Sequence, residues 1–298
     1  MAGAGLDQAR RFNELVFTQV LNMDRSTDRL AVIDGYLTAA GVEYARFSAV
    51  DGRKLDLDND PELKRMVDLK GWVRRHHRNP SPADVGCYLS HYYAIKAFAE
   101  QAKPLGLIFE DDAAVTPDFI RLVLPAIEDC GSWDILKLHA RHPGPLVERK
   151  CYGPEVSLCS YLARHAGGTA YVISHKAAAK MLKHLMPAVK MIDWAHDEGH
   201  VMNLRVRTLK PEPVTLQDVV STRETLKKKR SWIERQTDRP ILPRWQLPFR
   251  RAADEVHRFA FNLFADGGLK AMLLGPEESA AISPADTSPA TAPQAQHR

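Results

Sequence analysis

"LGLIFEDDAAVTPDF", residues Leu105 to Phe119, sets an apolar run directly against three consecutive acids, Glu110, Asp111 and Asp112. The run follows Pro104 and reads as a buried strand whose end coincides with the acids. Carboxylates this close repel one another and raise each other's pKa unless positive charge lies between them. A bound cation is the usual remedy. If the backbone stays extended, Glu110 and Asp112 point one way and Asp111 the other. Two hard oxygen ligands on one side suit Mg²⁺ or Mn²⁺, ions that keep some water and accept substrate phosphates. The competing reading is a solvated acidic turn ahead of a helix that starts near Thr116.

Working outward, "LVFTQVLNMDRSTDRL" gives a strand from Val16 to Leu21 and a polar loop. Helical spacing follows at Leu30, Ile33 and Leu37, with Gly41 as the stop. "VEYARFSAVDG" reads as a second strand running into a turn at Asp51 and Gly52. Strand, helix, strand implies a parallel α/β sheet whose ligands collect beyond the carboxyl ends of the strands. Residues 53–79 read as an irregular excursion with one short helix around Pro61 to Leu69. Ser81, Pro82 and Asp84 open a helix that runs to about Gln101, with Asp84 where a capping-box Glu would stand. Thr116 and Pro117 open another, to about Asp129. "WDILKLH", "YLAR" and Ala170 to Ile173 read as strands, the last leading into a helix capped by Ser174.

The chain has 298 residues, 45% apolar and 26% charged, with a formal charge of +4. That is an ordinary globular composition, too weakly basic to imply general nucleic-acid affinity. Cys87, Cys130, Cys151 and Cys159 form no CxxC pair and read as reduced thiols, a Cys151 to Cys159 bridge being the alternative. The N-terminus has no apolar signal core, and no run reaches the roughly 20 apolar residues of a membrane span. A cytoplasmic protein is expected.

Several stretches together resemble glycosyltransferase family 25, the lipopolysaccharide β-glycosyltransferases whose animal relatives modify collagen hydroxylysine. They are "VLNMDRSTDRL", "RFSAVDG", "GCYLSH", "LIFEDDAAVTPDF", "WDILKL" and "GGTAYVISHKAAAKML", in that order. The resemblance covers about Val16 to Ser221. It implies a GT-A type, nucleotide-sugar-binding, Rossmann-like mixed sheet flanked by helices. It also implies inverting transfer from a UDP-hexose, expected to be UDP-galactose, to a cell-surface glycan or lipid-linked oligosaccharide, aided by Mn²⁺ or Mg²⁺. Asp112 then matches the direct metal ligand. Glu110 is a second ligand, or lies nearer the ribose or a metal-bound water, and Asp111 is on the donor side. Asn22, Arg25 and Arg29 match the first donor loop, Val50, Asp51 and Gly52 the second, and Ser90 and His91 the helix motif ahead of the acids. The alternative for Arg25 and Arg29 is surface pairing with Asp24 and Asp28. Asp84 and His139 depart from the expected Glu and Gly.

Inverting transfer needs a base for the acceptor hydroxyl. "KMIDWAHDEGH" offers Asp193, which matches the family's acidic position, and then Asp197; N-capping a short helix is the competing role. His196 and His200 stand at i and i+4 as in HExxH, but Asp197 replaces the glutamate and no third ligand follows. One of them could instead complete the transferase metal site. A haloacid-dehalogenase-like phosphatase needs a nucleophilic Asp with another two positions on, and only Glu110 has that spacing. A catalytically silent sugar-nucleotide-binding protein is the rival of another class. The domain reading is a 1–15 extension, a 16–225 catalytic domain, a 226–274 basic and aromatic helical region and a 275–298 disordered tail. The third region could touch an anionic membrane on its inner face, or pack on the catalytic domain.

Overall fold

The computed structural model describes residues 2–141, 144–217 and 246–278. The chain starts with helix α1 (Ala2–Leu15) and strand β1 (Val16–Asn22), followed by α2 (Thr27–Ala39) and β2 (Ala45–Ser48). The excursion expected to hold one helix contains two, α3 (Pro61–Met66) and α4 (Leu69–His76), each capped by an Asp side chain, Asp60 and Asp68. Helix α5 (Pro82–Ala99) leads into β3 (Leu105–Glu110), β4 (Ala113–Val115) and α6 (Phe119–Glu128). Next come β5 (Ile135–Lys137), β6 (Leu146–Tyr152), β7 (Val156–Tyr161), β8 (Ala170–Ser174) and α7 (His175–Leu185). Two short helices, α8 (Ile192–His196) and α9 (Gly199–Met202), precede β9 (Val206–Lys210) and β10 (Val214–Leu216). Helices α10 (Gln246–Ala260) and α11 (Gly268–Leu274) and strand β11 (Glu277–Glu278) complete the described chain.

The main sheet runs β11-β6-β7-β9-β5-β8-β3-β1-β2. It is mixed rather than wholly parallel. β1 pairs in parallel with β2 and β3, but β8 lies antiparallel between β3 and β5. The parallel trio fixes the geometry that matters, because Asn22, Ser48 and Glu110 all end strands on one edge of the sheet.

β3 shows why its run did not alternate: both of its faces are covered. Leu105, Leu107 and Phe109 join the core under α1, α2 and α6 with Phe12, Ile33, Leu37 and Phe119. Ile108 joins the other core with Trp72, Leu89, Ile95 and Phe98. The residues read as an N-terminal extension therefore belong to the fold, as the edge-on packing of Phe12 against Phe119 shows. Helix α6 starts later than Thr116 because Thr116 forms a turn, its carbonyl accepting from the Phe119 amide. The four cysteines are free thiols, so no Cys151 to Cys159 bridge forms.

The C-terminal helices pack on the sheet through charge. Asp266 pairs with Arg149 of β6 and Arg207 of β9, and Asp254 of α10 pairs with Arg164 and His200. Phe249, Val256, Phe264 and Leu273 remain exposed. The basic run at 227–230 and the tail beyond 278 lie outside the described residues. Among the described residues no helix is long and apolar enough to cross a membrane.

The capping box of α5 is complete: the Ser81 hydroxyl accepts from the Asp84 amide, and Asp84 accepts from the Ser81 amide at 2.9 Å. Arg78 also donates to Asp84, and the buried carboxyl's pKa falls to about 2, these hydrogen bonds outweighing a desolvation that would raise it. Ser81→Ala is expected to cost about 1 kcal/mol in urea unfolding at neutral pH, without changing the near-ultraviolet circular dichroism.

Candidate active site

Beyond the carboxyl ends of β1, β2 and β3 lies a cleft lined by Arg25, Arg29, Val50, Asp51, Gly52, Ser90, His91, Glu110, Asp111 and Asp112 among others. Its space, open mouth included, is about 920 Å³. The donor-side residues expected from the sequence thus converge, except Asn22, which lies just behind the wall. The open sheet explains the place, since loops leaving neighbouring parallel strands meet at one edge.

The three acids sit in three different environments. β3 ends at Glu110, and the strict alternation expected of an extended chain stops there. Glu110 faces α5 and meets Nε2 of His91 at 3.0 Å. Asp111 turns toward β1 and α2, accepting from Nδ2 of Asn22 at 2.8 Å and pairing with Arg29. Asp112 stands 3.6 Å from Arg29, and its Oδ1 is buried with no hydrogen-bond partner. Burial first, then the charge of Glu110, lifts the Asp112 carboxyl to about 7. A buried anionic oxygen without a donor fits a place left for a cation.

His91 is fully buried, with Nδ1 3.0 Å from the Tyr171 hydroxyl. Ser90 positions rather than presents: its hydroxyl donates to the Gly86 carbonyl and accepts from the Val50 amide at 2.8 Å. That bond pulls the 50–52 loop onto α5, an approach only glycines permit. A Cβ on Gly52 would lie 2.1 Å from the Pro82 carbonyl oxygen, and one on Gly86 2.8 Å from the Val50 carbonyl oxygen. Asp51 accepts from both Arg25 and Arg53. Its pKa drops to about 2, chiefly through the Arg53 bond, so it stays charged and holds both guanidinium groups at the cleft. The alternative Arg25–Asp24 surface pair does not form; Asp24 binds Arg46 instead.

Asp193 and Asp197 are not among the cleft-lining residues. Asp193 lies in the first turn of α8 and accepts from the Trp194 amide at 3.0 Å, but the N-cap of that helix is Met191, so the capping role weighed against catalysis is not the one it takes. Asp197 is wholly buried, one oxygen bound by Lys137 at 2.7 Å and the other by the Ala166 amide at 2.7 Å. Although burial opposes it, these partners and His165 hold its carboxyl far below the ordinary range. It anchors the turn before the Gly167–Gly168 pair and is unsuited to take up a proton. His196 is buried beside Tyr171, and His200 pairs with Asp254. Neither lines the cleft, which removes them as partners of the acidic triplet. Sequence reasoning missed Cys87 and Arg141, which do line it, and Tyr171 behind His91. Only Cys87, four residues before His91 in the flagged "GCYLSH", carried a signal.

The profile of glycosyltransferase family 25 (LPS biosynthesis protein) matches residues 17–197, from β1 to the end of α8. The chain belongs to glycosyltransferase family 25. A "Glycosyltransferase 25 family member" of Aedes aegypti is 27% identical over 177 residues, 58% of this chain and 28% of that protein. Another of Anopheles gambiae is 26% identical over 203 residues, 64% of this chain and 34% of that protein. "Procollagen galactosyltransferase 1-A" of Xenopus laevis is 27% identical over 187 residues, 58% and 29% of the two chains. The chain thus spans about a third or less of these relatives. The solved structure "Crystal Structure of A197 from STIV" covers 70% of this chain, and this chain covers 96% of it. At 15% identity and a TM-score of 0.35 it carries no argument.

The raised Asp112 pKa has a signed consequence in metal-free protein. Its stabilising contribution is present below about pH 4 and is lost as the pH rises through about 7, its folded-state value. His76, lowered to about 4 by burial, acts in the opposite direction over the same range. The quantity to measure is therefore the wild-type minus Asp112→Asn difference in urea unfolding. It is expected to move against wild type from about pH 4 to pH 7, and Mn²⁺ is expected to reduce that movement.

Proposed function

We propose that the cleft takes a UDP-hexose, UDP-galactose by resemblance, and that the protein transfers its sugar with inversion to a cell-surface glycan or lipooligosaccharide. The glycosyltransferase assignment rests on the family; the donor, the acceptor, the GT-A type of the sheet and the metal are part of this proposal. The observation that carries it is the orphaned Asp112 oxygen in a cleft that also holds arginines. Asp51, Glu110, Asp111 and Asp112 line the cleft together with Arg25, Arg29, Arg53 and Arg141. Four carboxylates set against four guanidinium groups and His91 leave little positive charge over for a diphosphate, and a divalent cation would supply it.

Asp112 and Glu110 would hold that ion, Mn²⁺ or Mg²⁺. When bound, it supplies Lewis-acid stabilisation of the departing nucleoside diphosphate. The chain's own groups do the rest. The 50–52 loop, fixed by Ser90, offers backbone to base and ribose, and Arg25 and Arg53, steadied by Asp51, face the diphosphate. Burial raises the Asp111 carboxyl's pKa, Arg29 and the Asn22 amide oppose that rise, and Asn22 turns Asp111 toward β1. The base for the acceptor hydroxyl is not Asp197, whose oxygens are both engaged. Asp193 keeps that role in the proposal only by its match to the family position.

A peripheral contact with anionic membrane belongs to this proposal too, and its test cannot be truncation. Removing the C-terminal helices would strip Arg149 and Arg207 of Asp266. Single exposed positions such as Phe264→Ser in a liposome sedimentation assay are the appropriate probe, with weakened binding expected.

The deciding experiment is a thermal-shift panel of UDP- and GDP-sugars with and without Mn²⁺, because a ligand that binds only the folded state raises the apparent stability. One UDP-sugar with a Mn²⁺-dependent shift is expected, together with slow donor hydrolysis. Asp112→Ala is expected to lose at least about a hundredfold in transfer while its circular dichroism is unchanged. A wild-type rate in that variant would refute the site. Binding without any hydrolysis or transfer would favour the silent binding protein.

A further inference from the structure

Cys87, His91 and Glu110 have no place together in the donor reading, yet their ligand atoms lie within 4.8 Å of one another. Among the described residues they are the group of three histidine, cysteine or carboxylate side chains gathered so closely. Cys87 and His91 stand at i and i+4 on α5, so both project from one face of the helix. Glu110 reaches the same point from the end of β3. All three line the cleft, which gives an ion a way in.

We propose that this trio is a site for a thiophilic divalent cation of the Zn²⁺ class, separate from the hard-cation place beside Asp112. Sulfur, imidazole and carboxylate form a borderline-soft set that suits Zn²⁺ better than Mn²⁺ or Mg²⁺. Three protein ligands with a fourth position turned to the cleft leave room for water or a ligand oxygen. The support behind His91 is built for the task. Its Nδ1 lies 3.0 Å from the Tyr171 hydroxyl, which leaves Nε2 facing Glu110 at 3.0 Å, and the ring stacks on Tyr171 with centroids 5.7 Å apart. A metal-bound histidine needs its second nitrogen held in this way. Donor atoms around a tetrahedral Zn²⁺ stand about 3.3–3.7 Å apart, so small rotations of Cys87 and Glu110, both partly exposed, close the set.

Because Glu110 belongs to both places, a Zn²⁺ ion there takes a carboxylate from the hard-cation place. The two ions compete through that residue. The site itself does not depend on the transferase reading, and its test needs no turnover.

The metal-free 298-residue chain would be titrated with Co²⁺ and then with Zn²⁺ in competition. The expected result is a near-ultraviolet thiolate-to-cobalt charge-transfer band with four-coordinate visible bands, both displaced by Zn²⁺. Cys87→Ser is expected to abolish the charge-transfer band and weaken Zn²⁺ binding at least about tenfold, while its circular dichroism stays that of wild type. Asp112→Asn is expected to keep the band, since Asp112 is not one of the three gathered ligands. Absence of a thiolate band in wild type overturns the proposal. So does a band that survives Cys87→Ser, which would come from Cys130, Cys151 or Cys159, or one lost equally in Asp112→Asn.

Discussion

Mutual repulsion among three adjacent carboxylates is the constraint that organises this structure. A strand end cannot carry Glu110, Asp111 and Asp112 in one environment, because each would push its neighbours toward protonation. The fold separates them by giving each a different environment: His91 for Glu110, Asn22 and Arg29 for Asp111, and a buried place for Asp112, which has one oxygen without a hydrogen-bond partner and stands 3.6 Å from Arg29. Those neighbours come from α5, β1 and α2, so the sheet order that sets β1 beside β3 also satisfies the electrostatics. The glycine contacts at Gly52 and Gly86 then draw the remaining wall close enough to make a cleft.

A second set of charges does the opposite work. Lys137 and Asp197 are both fully buried, and a pair so placed contributes little net stability against burial. It does fix where the Ala166 amide lies. That turn leads into Thr169, whose carbonyl accepts from the Glu110 amide, so a pair deep in the core positions the first acid of the triplet. The residue that looked like a base in the sequence is part of the scaffold behind Glu110.

The sequence made visible what is local. The strand ahead of the acids, the capping box at Ser81 and the cap at Ser174 all depend on neighbours a few residues away, and all are present. The family motifs likewise brought Arg25, Val50, Asp51, Gly52, Ser90 and His91 to one cleft. What could not be read was long-range. Nothing in "WAHDEGH" indicates that Lys137, sixty positions earlier, will bury Asp197. Nor does "AYVIS" announce that β8 runs antiparallel between two strands and ends the parallel pattern. An irregular-looking excursion concealed two helices because each is short and depends on an Asp cap more than on periodicity.

Asp266 bears on the order in which the molecule is assembled. It neutralises Arg149 and Arg207, residues of two strands that a ribosome delivers well before it. Until Asp266 emerges, the growing chain carries two uncompensated guanidinium groups where the far half of the sheet must close. The strands that carry the cleft, β1, β2 and β3, thus precede in the chain the residue that neutralises the opposite side of the sheet.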